Sequence, residues 1–224
     1  MNIKKLILAV ALCLVLAVAL FIFDTRYLAA IDREDILGSW ITEVPAGDRV
    51  EQSLAQFGIA YDIADDLTMT YEFQYREDGI VTVRVEETSA REIAAVQTEA
   101  LRAGLPDMLY AQYAQNGMDR AATDELLTSQ GMTMESLVEM ALEQFDFEAQ
   151  YTSEALTLTQ YYCVEKNRIC YAASPVDLAA GNYDMTVEVR LSGNTLILSN
   201  ALDKEGVPFE GNGVVKYPLT LTRK

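Results

Sequence analysis

From residue 36 onward, apolar and polar side chains alternate over short stretches. In Thr68–Arg76 the odd positions are Met69, Tyr71, Phe73 and Tyr75, and the even positions are Thr68, Thr70, Glu72, Gln74 and Arg76. Successive side chains of a strand point to opposite faces, so this pattern predicts a strand with one dry and one wet face. Ile80–Glu86 repeats it, with Val81, Val83 and Val85 opposed by Thr82, Arg84 and Glu86. Glu77-Asp78-Gly79 joins the two as a three-residue loop with Gly79 in the left-handed region, which pairs Tyr75 with Val81 on the dry side. The same alternation marks Phe147–Thr152, Leu156–Tyr162, Tyr183–Leu191, Asn194–Asn200 and Val215–Thr222. With Ile36–Val44 and Ile169–Ala173, the chain carries eight or nine strands joined mainly by short hairpins. One-faced alternation over such a meander predicts an antiparallel up-and-down barrel or strongly curved sheet. Pro218 has no N–H for a ladder and belongs at an edge or bulge.

Helical spacing interrupts this pattern twice. Asp48 is placed to cap a short helix with Val50, Leu54 and Phe57 on one face and Gly58 as its stop. A longer helical insertion occupies about 88–145. Ile93, Val96, Ala100 and Leu101 form its first stripe, which is expected to break at Gly104-Leu105-Pro106. A second piece starts at Thr123-Asp124-Glu125 and stops at Gly131; a third is capped by Thr133 and carries Leu137, Val138, Ala141, Leu142 and Phe145.

The N-terminus reads differently. Lys4 and Lys5 precede Leu6–Phe23, which carries no charge. At ~1.5 Å per residue that run is about 27 Å long, close to the thickness of a bilayer's hydrocarbon core. Residues 1–30 are therefore expected to be a signal anchor or transmembrane helix, with residues 31–224 forming the barrel domain. The leading lysines place the domain on the extracytoplasmic side. Cleavage near Leu28-Ala29-Ala30 would instead release it as a secreted protein. Cys13 is read as a small apolar residue of the span, because Leu12 is too large for a lipidation site.

Charge narrows the function classes. Asp and Glu number 34 against 17 Lys and Arg, a net charge of -17. So acidic a chain has no surface for nucleic-acid phosphates. The domain without residues 1–30 is more acidic still, since three bases leave with one acid, and an anionic membrane surface repels it. Histidine is absent, which removes Ser/His and Cys/His catalysis and histidine metal ligands. No P-loop, GxGxxG, GxSxG or HExxH is present. The adjacent carboxylates Asp65-Asp66 and Glu86-Glu87 are poorly placed for paired acid–base work, and the 203–212 stretch lacks calcium-loop spacing. We expect no enzyme activity, no cofactor and no metal.

Two features bear on stability and binding. Cys163 and Cys170 flank a turn symmetrically; a four-residue loop would place them in a non-hydrogen-bonded pair, which suits a disulfide. The inward positions are rich in Tyr and Met. Met69, Tyr71, Phe73, Tyr75, Tyr183 and Met185 thus either fill a core or line an apolar cavity.

Ile36-Leu37-Gly38-Ser39-Trp40 opens the first strand, and Leu219-Thr220-Leu221-Thr222-Arg223 closes the chain. Gly-x-Trp on the first strand with a basic residue on the last resembles the lipocalin-like, or calycin, barrels, here over roughly residues 36–87 and 146–223. The sequence is also similar to small, acidic, membrane-tethered bacterial proteins with such a domain and an inserted helical segment. The resemblance implies that Arg223 packs across Trp40 and closes the barrel base. It also implies a binding domain, for an apolar small molecule or for a protein partner. The alternative is a filled barrel that works as a structural or interaction module, offering its acidic helices to a basic partner.

Overall fold

The computed structural model describes residues 30–64, 66–152, 157–209, 211 and 216–224. The expected N-terminal span (residues 1–30) lies outside them save for its last residue, as do Asp65, Leu156, Glu210 and Val215. Among the described residues no helix is long and apolar enough to cross a membrane.

Eight strands form a closed barrel in sequence order: β1 (Gly38–Pro45), β2 (Thr68–Tyr75), β3 (Ile80–Val85), β4 (Leu158–Glu165), β5 (Arg168–Ala172), β6 (Met185–Ser192), β7 (Thr195–Asp203) and β8 (Leu219–Arg223). Among the described strands, closure leaves no unpaired edge. The helices are α1 (Arg33–Ile36), α2 (Gly47–Ala55), α3 (Glu87–Gln115), α4 (Arg120–Ser129), α5 (Met134–Leu142), α6 (Phe147–Thr152) and α7 (Pro175–Ala180). By internal contacts the chain divides into two compact units: Met1–Trp40 with Gln74–Val81 and Thr159–Lys224, and Ile41–Phe73 with Thr82–Leu158.

In the first unit the hairpins follow local chemistry. Gly79 has φ 79°, and the Arg76 N–H donates to the Ile80 carbonyl at 2.9 Å, closing the three-residue loop. Tyr75 and Val81 are both buried. Val187, Val189, Leu196 and Leu198 are buried, while Glu188 and Arg190 between them are exposed, so the period-two pattern sorts inside from outside. Between β6 and β7 the register slips by one residue after Glu188–Ser199. Asn200 takes up the slip at φ 47°, a conformation asparagine tolerates, and its amide donates to Glu188 at 2.6 Å. Pro218 stands just ahead of β8, where no ladder bond is required. Trp40 is fully buried and donates from Nε1 to the Ile36 carbonyl at 2.8 Å. The Arg223 guanidinium lies over its ring, 4.8 Å from the centroid, and donates to the carbonyls of Asp35 and Leu37 at 2.9 and 3.2 Å.

The second unit contains most of the helices and departs from expectation in four places. Phe147–Thr152 is helix α6, so the expected strand here is corrected, and the described residues form eight strands. Phe147 and Tyr151 fit alternation, but they also stand four apart, on one helical face, and both are buried. The Asp146 carboxylate accepts from the Ala149 N–H at 2.9 Å, which commits the segment to a helix start. Second, α3 runs unbroken through Gly104 and Pro106. Proline inside a helix costs about 3 kcal/mol; burying Leu101 and Leu105 on the same stripe contributes about 1.5–3 kcal/mol each and offsets it. Gly104 lets Ile59 come close: a Cβ there would meet Ile59 Cγ2 at 2.5 Å. Third, α2 begins after Ala46 with Asp48 in its first turn and no side-chain cap. Fourth, α4 is capped by Asp119, which accepts from the Ala122 N–H at 2.8 Å, ahead of the expected Thr123. Thr133 caps α5 as expected, accepting from the Ser136 N–H at 3.1 Å.

Gly104→Ala is expected to lower unfolding free energy by about 1–3 kcal/mol through overpacking. Urea unfolding should show most of that loss disappearing in an Ile59→Ala background, where the colliding atoms are gone. Arg223→Leu should cost about 1–3 kcal/mol by removing two charge-assisted bonds and the ring contact. Because Trp40 is the only tryptophan, its fluorescence reports that loss directly.

Candidate functional site

Three groups of side chains carry chemistry. The first belongs to the inner face of the first unit. The Tyr75 and Tyr171 hydroxyls share a hydrogen bond at 2.7 Å. Tyr75 also meets Tyr162 edge to face, with centroids 5.0 Å apart. Tyr162 donates to the Arg76 carbonyl at 2.9 Å, and Arg33 of α1 covers its ring at 5.6 Å. The Tyr217 hydroxyl reaches the Met185 sulfur at 3.9 Å. Burial raises the Tyr75 and Tyr171 phenols well above the ordinary tyrosine range and pushes Tyr217 up to about 12. These hydroxyls are neutral, partnered and packed.

The second group lies in the other unit. Met69, Tyr71 and Phe73 keep 1%, 7% and 6% of their surface exposed, so β2 offers almost no free apolar area here. Arg49 of α2 donates to the Tyr71 hydroxyl at 3.2 Å. Burial raises the phenols of Tyr71 and Tyr151, and the nearby Arg49 charge opposes that rise. Gln97 of α3 is fully buried and donates to Ser53 at 3.4 Å, while Ser89 accepts from the Thr70 N–H at 2.9 Å. Together they fasten α2, α3 and β2, although the buried Gln97 Oε1 itself has no hydrogen-bond partner.

The third group surrounds the cysteines, and here the disulfide is corrected. The β4–β5 register pairs Glu165 with Arg168 and Cys163 with Cys170. The turn therefore has two residues, Lys166 and Asn167, with Lys166 at φ 58°. Counting back along an antiparallel ladder from a two-residue turn places Cys163–Cys170 on a hydrogen-bonded pair, where side chains stand farther apart. Both are free thiols. Tyr162 and Tyr171 point inward, so the adjacent Cys163 and Cys170 point to the opposite face of the sheet. Helix α7 packs on β5; Ser174 caps it and Gly181 ends it at φ 75°. The chain then bends at Asp184, and the Tyr183 hydroxyl donates to the Glu165 carboxylate.

The six interior candidates thus fall into separate groups. Tyr75 and Met185 belong with the buried tyrosines of the first unit. Met69, Tyr71 and Phe73 belong to the second. Tyr183, placed by alternation with Met185, meets Glu165 beside the cysteines because the bend at Asp184 breaks the alternation. Glu165 was legible as a companion of Cys163, since the two stand two apart on one strand. Alternation in Val215–Thr222 places Tyr217 on the dry face with Leu219 and Leu221, whereas Arg49 and Tyr171 carry no sequence signal that links them to these groups. Gly38, at φ 113°, leads β1 toward Trp40.

No known protein family, no curated protein and no solved structure matches this chain.

The buried phenols set an alkaline limit on stability. Their folded values exceed the unfolded value of 10.0, so protons leave the unfolded state first and the stabilisation is lost as pH rises. Unfolding free energy should hold below pH 10 and fall above it, by up to about 1.4 kcal/mol per pH unit for each such group. In urea titrations at stepped pH, Tyr171→Phe should flatten this fall while lowering neutral-pH stability by about 1–2 kcal/mol, because Tyr75 loses its partner.

Proposed function

We propose that the chain is a lipocalin-like binding module, tethered to the extracytoplasmic face of a membrane by its N-terminal apolar segment, that engages a protein partner with its outer surface. One observation carries this choice between a small-molecule ligand and a protein partner. The inward residues, apart from the half-buried Met185, are buried and their hydroxyls are used: Tyr75 keeps 2% exposure and bonds Tyr171, and Met69 keeps 1%. A ligand-carrying barrel needs concave free apolar surface, and these side chains leave little. The closed barrel of eight strands and the Arg223 guanidinium over Trp40 support the lipocalin-like assignment.

The acidic helices supply the working surface. Glu139 is held by Arg102 at 2.8 Å, and this pairing lowers the carboxyl below its ordinary range. Glu135 and Glu143, on the same helical segment, are exposed. A basic partner gains orientation and association rate from such a face. The module's acidic charge, larger than the -17 of the whole chain, keeps it apart from anionic lipid and free to meet that partner.

Crosslinking in intact cells with the full chain tests this. Glu135→Lys with Glu143→Lys should abolish the main crosslinked product, whereas Glu34→Lys, an exposed acid of the other unit, should leave it. A lipophilic fluorescent probe should show no saturable binding attributable to the domain. Stoichiometric probe uptake that Phe73→Ala removes with the fold intact would favour the small-molecule reading.

A further inference from the structure

We propose that Cys163, Cys170 and Glu165 bind one thiophilic divalent cation of filled d shell, zinc or cadmium, on the outer face of the β4–β5 hairpin, with Tyr183 as positioning residue. The Sγ atoms of both cysteines and a carboxylate oxygen of Glu165 lie within 4.8 Å of one another. A tetrahedral site with metal–sulfur bonds of about 2.3 Å has ligand–ligand edges of about 3.8 Å. Side-chain rotation by about 1 Å therefore gathers the three ligands, and water completes the shell.

The backbone register favours this bridge over a disulfide. Directly opposed residues of a hydrogen-bonded pair hold their Cβ atoms about 5.5 Å apart, whereas a disulfide draws them to about 3.8 Å. A cation between the sulfurs spans the wider gap. Cys163 and Glu165 share a strand face, and Cys170 stands across from Cys163. The Tyr183 hydroxyl donates to Glu165 and fixes the orientation of its carboxylate toward the sulfurs. Cys170 is buried, Cys163 half-buried and Glu165 exposed, which leaves an entry path from solvent.

As thiolates the two cysteines and the Glu165 carboxylate would repel one another across this cluster, and a divalent cation among them turns that repulsion into attraction. Two sulfurs and one carboxylate select a soft ion over calcium or magnesium, and a chain without histidine has no imidazole to compete. On binding, two S–H bonds break, two metal–sulfur bonds form and two protons pass to solvent; no electron changes hands.

The test uses the reduced full chain in detergent micelles, with Cys13→Ser removing the third thiol, under a phosphine reductant. Titration with Cd2+ should give a thiolate-to-metal charge-transfer band in the near ultraviolet that saturates at one cation per chain. Two protons should appear per cation in weakly buffered solution, and excess Ca2+ or Mg2+ should not compete. Cys163→Ser or Cys170→Ser should abolish the band. Glu165→Gln, at an exposed position that leaves the fold intact by circular dichroism, should weaken affinity about tenfold or more. Absence of the band, a stoichiometry unchanged by Cys163→Ser, or an affinity unchanged by Glu165→Gln would overturn the proposal.

Discussion

Arg223, one residue from the end of the chain, reaches back to its first strand. Its guanidinium donates to the carbonyls of Asp35 and Leu37 and lies over the buried Trp40 ring, while the Lys224 N–H donates to the Ser39 carbonyl at 2.9 Å. A sheet of eight strands left open would expose two unpaired edges; joining β8 to β1 removes both. Every loop and insertion between these ends has to return the chain to this register. The contact uses a charge that stays partly in water, so it adds attraction without the full desolvation cost of a buried ion.

With the ends joined, the two faces of each strand acquire different chemistry. Inward, tyrosines fill space and give their hydroxyls to one another, to a backbone carbonyl and to a methionine sulfur. Each partnership avoids the penalty of an unpaired buried hydroxyl. Outward, the same strands carry the cysteines, Glu165 and the charged residues. Function on such a module falls to the outside, in the protein-binding role proposed for the acidic helices and the cation site proposed on the β4–β5 hairpin.

The tertiary contacts of the helical unit override local rules in identifiable ways. α3 continues through Pro106 because Leu101 and Leu105 extend one buried stripe. Gly104 serves close packing against Ile59, a partner far away in sequence. Phe147 and Tyr151 satisfy both a strand and a helix pattern, and the Asp146 cap decides between them. In each case propensity differs by about 1–3 kcal/mol, a size that one well-buried side chain reverses.

Period two in Thr68–Arg76 and Tyr183–Leu191 and Gly79 in its loop were enough to predict an antiparallel meander, barrel or strongly curved sheet, with a helical insertion, while Gly38-x-Trp40 and Arg223 implied closure only through a family resemblance. These features act over a few residues, or mark the two ends that must meet, so the sequence alone determines them. Which side chains converge was left to the tertiary structure. A turn of two residues instead of four moved the cysteines to a hydrogen-bonded pair, and one bend at Asp184 carried Tyr183 to Glu165. A strand pattern encodes which face a residue takes. It does not encode the register or the bend that selects its neighbour, because both depend on how distant segments pack.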